Sequence, residues 1–337
     1  MKLSILDQSL LIEGKTGADA VRDTVSLAIA ADELGFHRIW LSEHHNLSFL
    51  QGSSPIVLLS AIGAQTKQIR IGSGGVMLPN HSAFHIAENF RMLESLYPNR
   101  VDCGIGRASG GDAFSRSLLN GNDRITNQDF EQQVSALDMY LHDECKRAKA
   151  NPSTLKAPPI WMLSGGGHRN SGIYPAENGL GLAIAAFINP NPTPEAAVEY
   201  IRRFKPSEEL PEPKIILAYN CICAEDPKRL AQLKKLSDLF RLTRDSGNYM
   251  QYVPSADKLD GIHFSKQQKE YLESISGREL VGNAKQIFEQ AKKIGADFYS
   301  DEIMLSMISY TLEDRISAIK ALSETFQLNK KIDKNEK

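Results

Sequence analysis

Gly35–Arg107 (GFHRIWLSEHHNLSFLQGSSPIVLLSAIGAQTKQIRIGSGGVMLPNHSAFHIAENFRMLESLYPNRVDCGIGR) decides the architecture. It holds three short apolar runs, His37–Leu41, Ile69–Gly72 and Val101–Ile105, read as strands. Between them lie two helical patterns, Pro55–Gln65, where Pro55 suits a first turn, and Ser82–Leu96. Strands separated by helices run parallel with right-handed crossovers. The alternation continues on both sides. Upstream are a strand at Leu3–Leu6 and a helix at Ala18–Leu34, ended by Gly35. Downstream, helix Asn127–His142 leads to strand Ile160–Leu163, and a short helix near Ser171–Asn178 to strand Leu182–Phe187. Helix Pro194–Phe204 then precedes the longest strand, Lys214–Ala224, and helix Pro227–Arg244. Helix Asn283–Ile294, strand Glu302–Leu305 and helix Leu312–Phe326 complete the series. Eight strand-to-helix cycles predict an α/β fold, a (β/α)8 TIM barrel with insertions. An open doubly wound sheet of eight strands is the alternative.

Length and composition fit this reading. At 337 residues the chain has room for two ordinary domains, or for one barrel of about 250 residues with insertions. One barrel over residues 1–328 is expected, with a polar tail at 329–337. Asp245–Gly277 breaks the rhythm with weak periodicity, as functional loops often do. A net charge of -2, from 39 basic and 41 acidic residues, argues against a nucleic-acid binder. No apolar run approaches the roughly 18 residues of a membrane span. Met1–Ile12 reads as a strand and not a signal peptide. Cys103, Cys145, Cys221 and Cys223 match no zinc spacing, and point to a reducing, cytoplasmic setting.

In a barrel the residues after each strand build the site. Here they are Asp7, Gln8 and Ser9; Glu43, His44, His45 and Asn46; Ser73, Gly74 and Gly75; Gly106, Arg107, Ala108 and Ser109; and Ser164–Ser171 (SGGGHRNS). The last group is suited to an anion. Its glycines bring backbone N–H groups close, a following helix would add partial positive charge, and Arg107, which looks buried, offers a bidentate fork. A plain loop with a surface arginine is the bland alternative. Glu43-His44-His45 brings groups that titrate near neutral pH to a strand end; packed or solvated imidazoles are the bland reading. Gly72-Ser-Gly-Gly75 allows close approach of a flat ligand, or forms a turn. A metal site built on His81 and His85, at helical spacing, lacks a third ligand, and His81 has no carboxylate nearby except Glu88. No metal is expected. No dinucleotide or P-loop fingerprint is present.

Several stretches are similar to one family. LDQS at 6–9, SEHHN at 42–46, GSGGVMLPNHS at 72–82, AENFRMLESLYPNRVDCGIGRA at 87–108 and DEIML at 301–305 resemble the bacterial luciferase-like flavin-dependent monooxygenases. The resemblance spans nearly the whole chain. It implies a luciferase-like barrel assembled as a homodimer, and reduced FMN supplied by a separate flavin reductase. By that resemblance Glu43 and His44 belong to the catalytic motif, with His45 behind it. Ser73, Gly74 and Gly75 lie at the flavin ring, where the family often holds a non-prolyl cis peptide. Arg107, Gly166, Gly167, His168 and Ser171 receive the flavin phosphate, and 245–277 is a mobile lid insertion. Two departures stand out: Ser109 replaces a proline in the family's G-R-A-P-G-x-D, and Gly167-His168 replaces two serines.

The implied chemistry is that of a monooxygenase acting on paired donors with incorporation of one oxygen atom. Reduced FMN and O2 give a flavin C4a-peroxide, which oxygenates a small organic substrate. Two other readings stand beside it: a deazaflavin F420-dependent hydride-transfer enzyme, and a non-catalytic flavin-binding protein.

Overall fold

The computed structural model describes residues 1–119, 126–189 and 193–329. In chain order its elements are β1 (Lys2–Asp7), α1 (Gly17–Glu33), β2 (Arg38–Leu41), α2 (Pro55–Gln65), β3 (Arg70–Ser73), β4 (Val76–Met77), α3 (Ala83–Leu96) and β5 (Val101–Gly106). There follow α4 (Ala113–Leu119), α5 (Asn127–Leu141), β6 (Ile160–Ser164), α6 (Ile173–Glu177), β7 (Gly181–Ala185), α7 (Glu195–Arg203) and β8 (Ile215–Cys223). The chain continues through α8 (Pro227–Asp245), α9 (Ala256–Asp260), α10 (Lys266–Ser274), β9 (Glu279–Gly282), α11 (Ala284–Asp297), β10 (Glu302–Ser306) and α12 (Leu312–Phe326).

Strands β1, β2, β3, β5, β6, β7, β8 and β10 pair in parallel in that order. The sheet closes because β10 bonds both β8 and β1. This is the expected barrel, and closure removes the open-sheet alternative. Helix starts are fixed locally. Thr16 with Asp19, Thr126 with Asp129, Asn283 with Gln286, and Thr311 with Asp314 form reciprocal capping boxes, each satisfying two otherwise orphaned N–H groups. The larger core lies between strands and helices, where Ile39, Ile71, Cys103, Ile105, Leu182, Leu217 and Leu305 face outward from the barrel. The residues alternating with them fill its interior: Leu6, Trp40, Trp161, Ala183, Ile216, Ala218 and Met304. Trp40 and Trp161 meet edge to face at 5.7 Å.

Below this layer the N-terminal mouth carries buried charge. The guanidinium of Arg38 donates to Glu302 at 2.6 Å and to Asp102 at 2.7 Å, and lies 4.8 Å from the Trp161 ring. Arg70 donates to Asp102 at 2.6 Å. Burial alone would raise the carboxyl of Asp102, but Arg38 and Arg70 hold it at about 2. Such networks add little net stability over apolar packing, yet losing one partner costs about 3–5 kcal/mol. A cavity of about 310 Å3 opens beside them, lined by His37, Arg70, Glu94, Lys156 and Lys214 among others, at the end of the barrel away from the candidate site residues.

Five elements, β4, α4, α9, α10 and β9, escape the sequence pattern. β4 pairs with the upper part of β5 (Val76 with Ile105, Met77 with Gly106), while β3 pairs with the lower part. β9 pairs with the upper part of β8. That explains the length of β8: its lower residues bond β10 inside the barrel and its upper ones extend beyond it. Residues 245–277, weakly periodic in sequence, contain α9 and α10. Val253 bridges Ile12 in parallel, and Leu259, Leu272 and Ile275 are buried. The expected polar tail from residue 330 onward lies outside the described residues. Among the described residues no helix is long and apolar enough to cross a membrane.

Candidate active site

Strand alternation carries the barrel interior upward to the C-terminal mouth. Two residues beyond the interior layer stand Gln8 on β1's extension, Ser42 after β2, Asn220 on β8 and Ser306 on β10. On the opposite side β3 and β5 bring glycines. A Cβ at Gly74 would lie 2.7 Å from Leu6 Cδ1, and one at Gly104 would lie 1.9 Å from the Ser73 carbonyl oxygen. The Gly74–Gly75 peptide is cis. Ser73 is fully buried and its Oγ donates to the Gly104 carbonyl at 2.6 Å, so that hydroxyl ties β3 to β5.

Glu43 is the hub of the mouth, with a side chain 1% exposed. One oxygen accepts from the Met77 N–H at 3.0 Å. The other lies 2.9 Å from both His45 Nε2 and His81 Nε2, and accepts from Asn80 Nδ2 at 3.3 Å. Burial would raise the Glu43 carboxyl, but the His81 and His45 hydrogen bonds reverse this and hold it below its ordinary value. His81 therefore has a carboxylate partner other than Glu88, one 38 residues away in sequence. His85 points elsewhere, exposed and 4.0 Å from Glu88. Among the described residues no three His, Cys, Asp or Glu side chains are grouped to hold a metal ion.

The two adjacent histidines part company. His45 joins Glu43, whereas His44 is partly buried with Nδ1 3.0 Å from Ser42 Oγ and Nε2 without a partner among the described residues. Burial, reinforced by His45, lowers the His44 pKa to about 4, so its imidazole is neutral near pH 7. The loop after β5 braces this motif from the side. Gly110 O accepts from the His45 N–H at 2.9 Å, and Asp112 accepts from Asn46 at 2.9 Å. Gly110 has φ +70, and a Cβ there would also lie 2.7 Å from the Glu43 carbonyl oxygen, so the position requires glycine. Ser109, in place of the family's proline, presents its carbonyl to Asn80 at 3.0 Å.

Arg107 is exposed, contrary to its buried appearance in sequence, because β5 ends at Gly106 and the chain turns out onto the rim. It makes no hydrogen bond or ion pair among the described residues. The pairing of Ile105 with Met162 sets it beside the end of β6, where the glycine loop begins. That loop is open. A Cβ at Gly165 would have nothing within 4 Å, one at Gly167 would meet only Asn189 at 3.5 Å, and Gly167 and His168 are exposed. Gly166 N–H donates to Ser164 Oγ, and Ser171 Oγ to the His168 carbonyl at 2.7 Å. The expected helix after the loop is reduced to a 3-10 turn at Arg169–Gly172 and the five-residue α6. An unpartnered guanidinium beside a loop of accessible N–H groups suits a phosphate.

Sequence reasoning weighed His81 only as a metal ligand and missed its tie to Glu43, and it missed Asn80 and Asn220 altogether. His81 and Asn80 belong to Glu43 only through the β3–β4 bend. Asn220 lies within an apolar run, and only the missing partner of its amide marks it.

A sequence model described as luciferase-like monooxygenase matches residues 1–297. The Bacillus subtilis (strain 168) protein YwcH is 37% identical over 332 residues, covering 97% of this chain and 99% of that protein. The N-acetyl-S-alkylcysteine monooxygenase of the same organism is 39% identical over 195 residues, 56% of this chain and 58% of its own. The crystal structure of apo-MsnO8 superposes with a TM-score of 0.89 at 31% identity, covering 97% of this chain and 98% of that one. A Baeyer–Villiger monooxygenase from Pseudomonas putida in complex with FMN, at 16% identity, and an F420-dependent secondary alcohol dehydrogenase, at 14%, share the fold with TM-scores of 0.66. With its closed barrel, the family model matched over residues 1–297 and a nearly full-length likeness to YwcH, the chain belongs to the luciferase-like monooxygenase family.

Proposed function

We propose that this chain is an FMN-dependent monooxygenase that places one atom of O2 on a small organic substrate, taking reduced FMN from a separate flavin reductase. The observation that carries the reading is the unpartnered Arg107 guanidinium beside the open Gly165–Ser171 loop, on the same rim as the buried Glu43–His44 motif. Reduced FMN, when bound, supplies the electrons that activate O2.

The chain's own residues do the rest. Arg107, with the N–H groups of Gly167 and His168, holds the phosphate, and Gly166, tied to Ser164 Oγ, and the Ser171 turn shape that loop. Gly74 and Gly75, packed closely on Leu6, Trp40 and β5, form the wall of the mouth against which a flat ring would lie. His44, neutral and tied through Nδ1 to Ser42, presents Nε2 to give or take a proton. Glu43 and His45 act behind it by fixing the loops that carry it. Residues 245–277 serve as a lid that limits water, hinged beside the mouth where the Val253 N–H donates to the Leu11 carbonyl at 2.8 Å. A homodimer completes the reading, with Val57, Met92 and Leu96 exposed on α2 and α3.

Small thioethers of the N-acetyl-S-alkylcysteine type head the substrate classes to be tested, after the relative of that name. The experiment supplies reduced FMN and O2 with thioethers, aldehydes and aromatic compounds, and follows oxygen consumption against product by mass. Product from the wild type, with flavin binding retained and product lost in His44→Ala, is expected. O2 consumed without product in every case would leave a flavin carrier, and a chain that binds F420 but not FMN would be a hydride-transfer enzyme.

A further inference from the structure

Buried amides are hydrogen-bonded almost without exception, and those that are not call for an explanation. Asn220 is 6% exposed, and its Nδ2 is buried with no hydrogen-bond partner. Its place in the fold is specific. Ile216 and Ala218 point into the barrel among Trp40, Trp161 and Met304, so Asn220 is the next inward residue on β8, at the level where the packed interior gives way to the mouth. Ser306 pairs with it in register across β10, is 5% exposed, and makes no side-chain hydrogen bond among the described residues. A buried amide with no partner and a hydroxyl with no protein partner among the described residues thus lie side by side on the floor of the mouth, where the neighbouring floor residues below are apolar. They lie across the barrel from the glycines of β3 and β5.

A packed barrel gains nothing from an unpaired amide at this position, and a leucine of similar volume would satisfy the core. We propose that Asn220 is a ligand-binding residue whose amide donates a hydrogen bond to a carbonyl oxygen on the pyrimidine edge of bound flavin, with the Ser306 hydroxyl alongside. The inference rests on the flavin reading above. Of the parts of that cofactor, the phosphate already has Arg107 and the glycine loop, and the dimethylbenzene edge has no polar atoms. The pyrimidine edge carries the carbonyl oxygens that require a donor, and Asn220 is a donor with nothing to bond. It is a binding and orienting residue; the proton chemistry stays with His44.

The test uses three proteins, wild type, Asn220→Leu and Asn220→Asp, and two measurements: thermal unfolding of the flavin-free chain, and anaerobic calorimetric titration with reduced FMN and reduced riboflavin. Asn220→Leu removes an unsatisfied polar group, so the flavin-free protein should melt roughly 2–4 °C higher. Its Kd for FMN and for riboflavin should rise by the same factor, roughly 5- to 20-fold, because the lost contact is to the ring they share. Asn220→Asp, of equal size but turning an oxygen toward the carbonyl, should weaken both further. Unchanged affinity for both flavins in Asn220→Leu would overturn the proposal, and so would a lower melting temperature of the flavin-free variant, which would make Asn220 a structural residue. Wild-type protein that binds neither flavin would instead remove the flavin reading itself.

Discussion

Glu43 offers the most direct test of how the mouth is held together. Glu43→Gln keeps the shape of the side chain and removes its charge. In the native protein two carboxylate oxygens serve four neighbours: Met77 N–H at 3.0 Å, Asn80 Nδ2 at 3.3 Å, and the Nε2 atoms of His45 and His81, each at 2.9 Å. Glutamine has one acceptor oxygen, and its amide nitrogen must face either the Met77 N–H or the donors on the other side. At least one donor loses its acceptor around a side chain only 1% exposed, and the remaining bonds lose their charge. With hydrogen bonds to charged groups worth about 1.5–3 kcal/mol, the substitution should destabilise the fold by roughly 2–4 kcal/mol. Urea unfolding at pH 7.5 measures this as a lower midpoint with an unchanged slope. The effect should fade in acid. The folded-state pKa of Glu43 is lowered, so its contribution is present above the ordinary glutamate value of about 4.3 and is lost as pH falls through the folded value. His81→Ala in the Glu43→Gln background should then cost clearly less than in the wild type, since the pair no longer interacts. A loss below about 0.5 kcal/mol, or full additivity of the two substitutions, would refute the hub.

Further outcomes follow from the same geometry. Arg107→Ala should weaken FMN by roughly 10- to 100-fold and leave riboflavin unchanged, since a charge-assisted phosphate contact is lost; equal losses in a calorimetric titration would place Arg107 away from the phosphate. Burial lowers His37 and His44 to about 4, so the unfolded chain takes up their protons first as pH falls below about 6.5. Stability should decline between pH 6.5 and 4, by roughly 3 kcal/mol for His44 and less for the more open His37, and a flat urea midpoint over that range would count against it. His142 works in the other direction: its hydrogen bonds to Asp138 and Glu209 raise it to about 11, so its contribution is complete below pH 6.5 and is lost on going alkaline. Gly104→Ala, with its methyl 1.9 Å from the Ser73 carbonyl oxygen, should prevent stable folding, whereas Gly165→Ala, with open space around it, should leave the melting temperature within about 1 °C.

The barrel was legible because its strands are buried on both faces and read as apolar runs, while α1 and α12 carry capping boxes and apolar faces and α2 opens on Pro55. Helix α2 (Pro55–Gln65) and helix α12 (Leu312–Phe326) fall where the pattern places them. What stayed hidden has little local signal. β4 is two residues long, and α10 buries only Leu272, so KQQKEYLES holds too few apolar residues to stand out although Ser265 and Gln268 cap it. In the candidate site, position at a strand end singled out Glu43, His44, Gly74, Gly75 and Arg107. Which histidine joins Glu43 depends on a contact between βα units, and sequence pattern carries no trace of it. The exposure of Arg107 was misread because the apolar run before it gives no sign of where the chain leaves the barrel.

The lower end of the barrel has a bearing on traffic. Trp40, Trp161 and Met304 fill the axis, and beneath them Arg38 is clamped between Asp102 and Glu302. Among the described residues these side chains plug the axis between the cavity at the N-terminal mouth and the C-terminal end. A ligand bound at the C-terminal end therefore does not travel along the axis from below, and filling the N-terminal cavity should leave its rates of entry and escape unchanged.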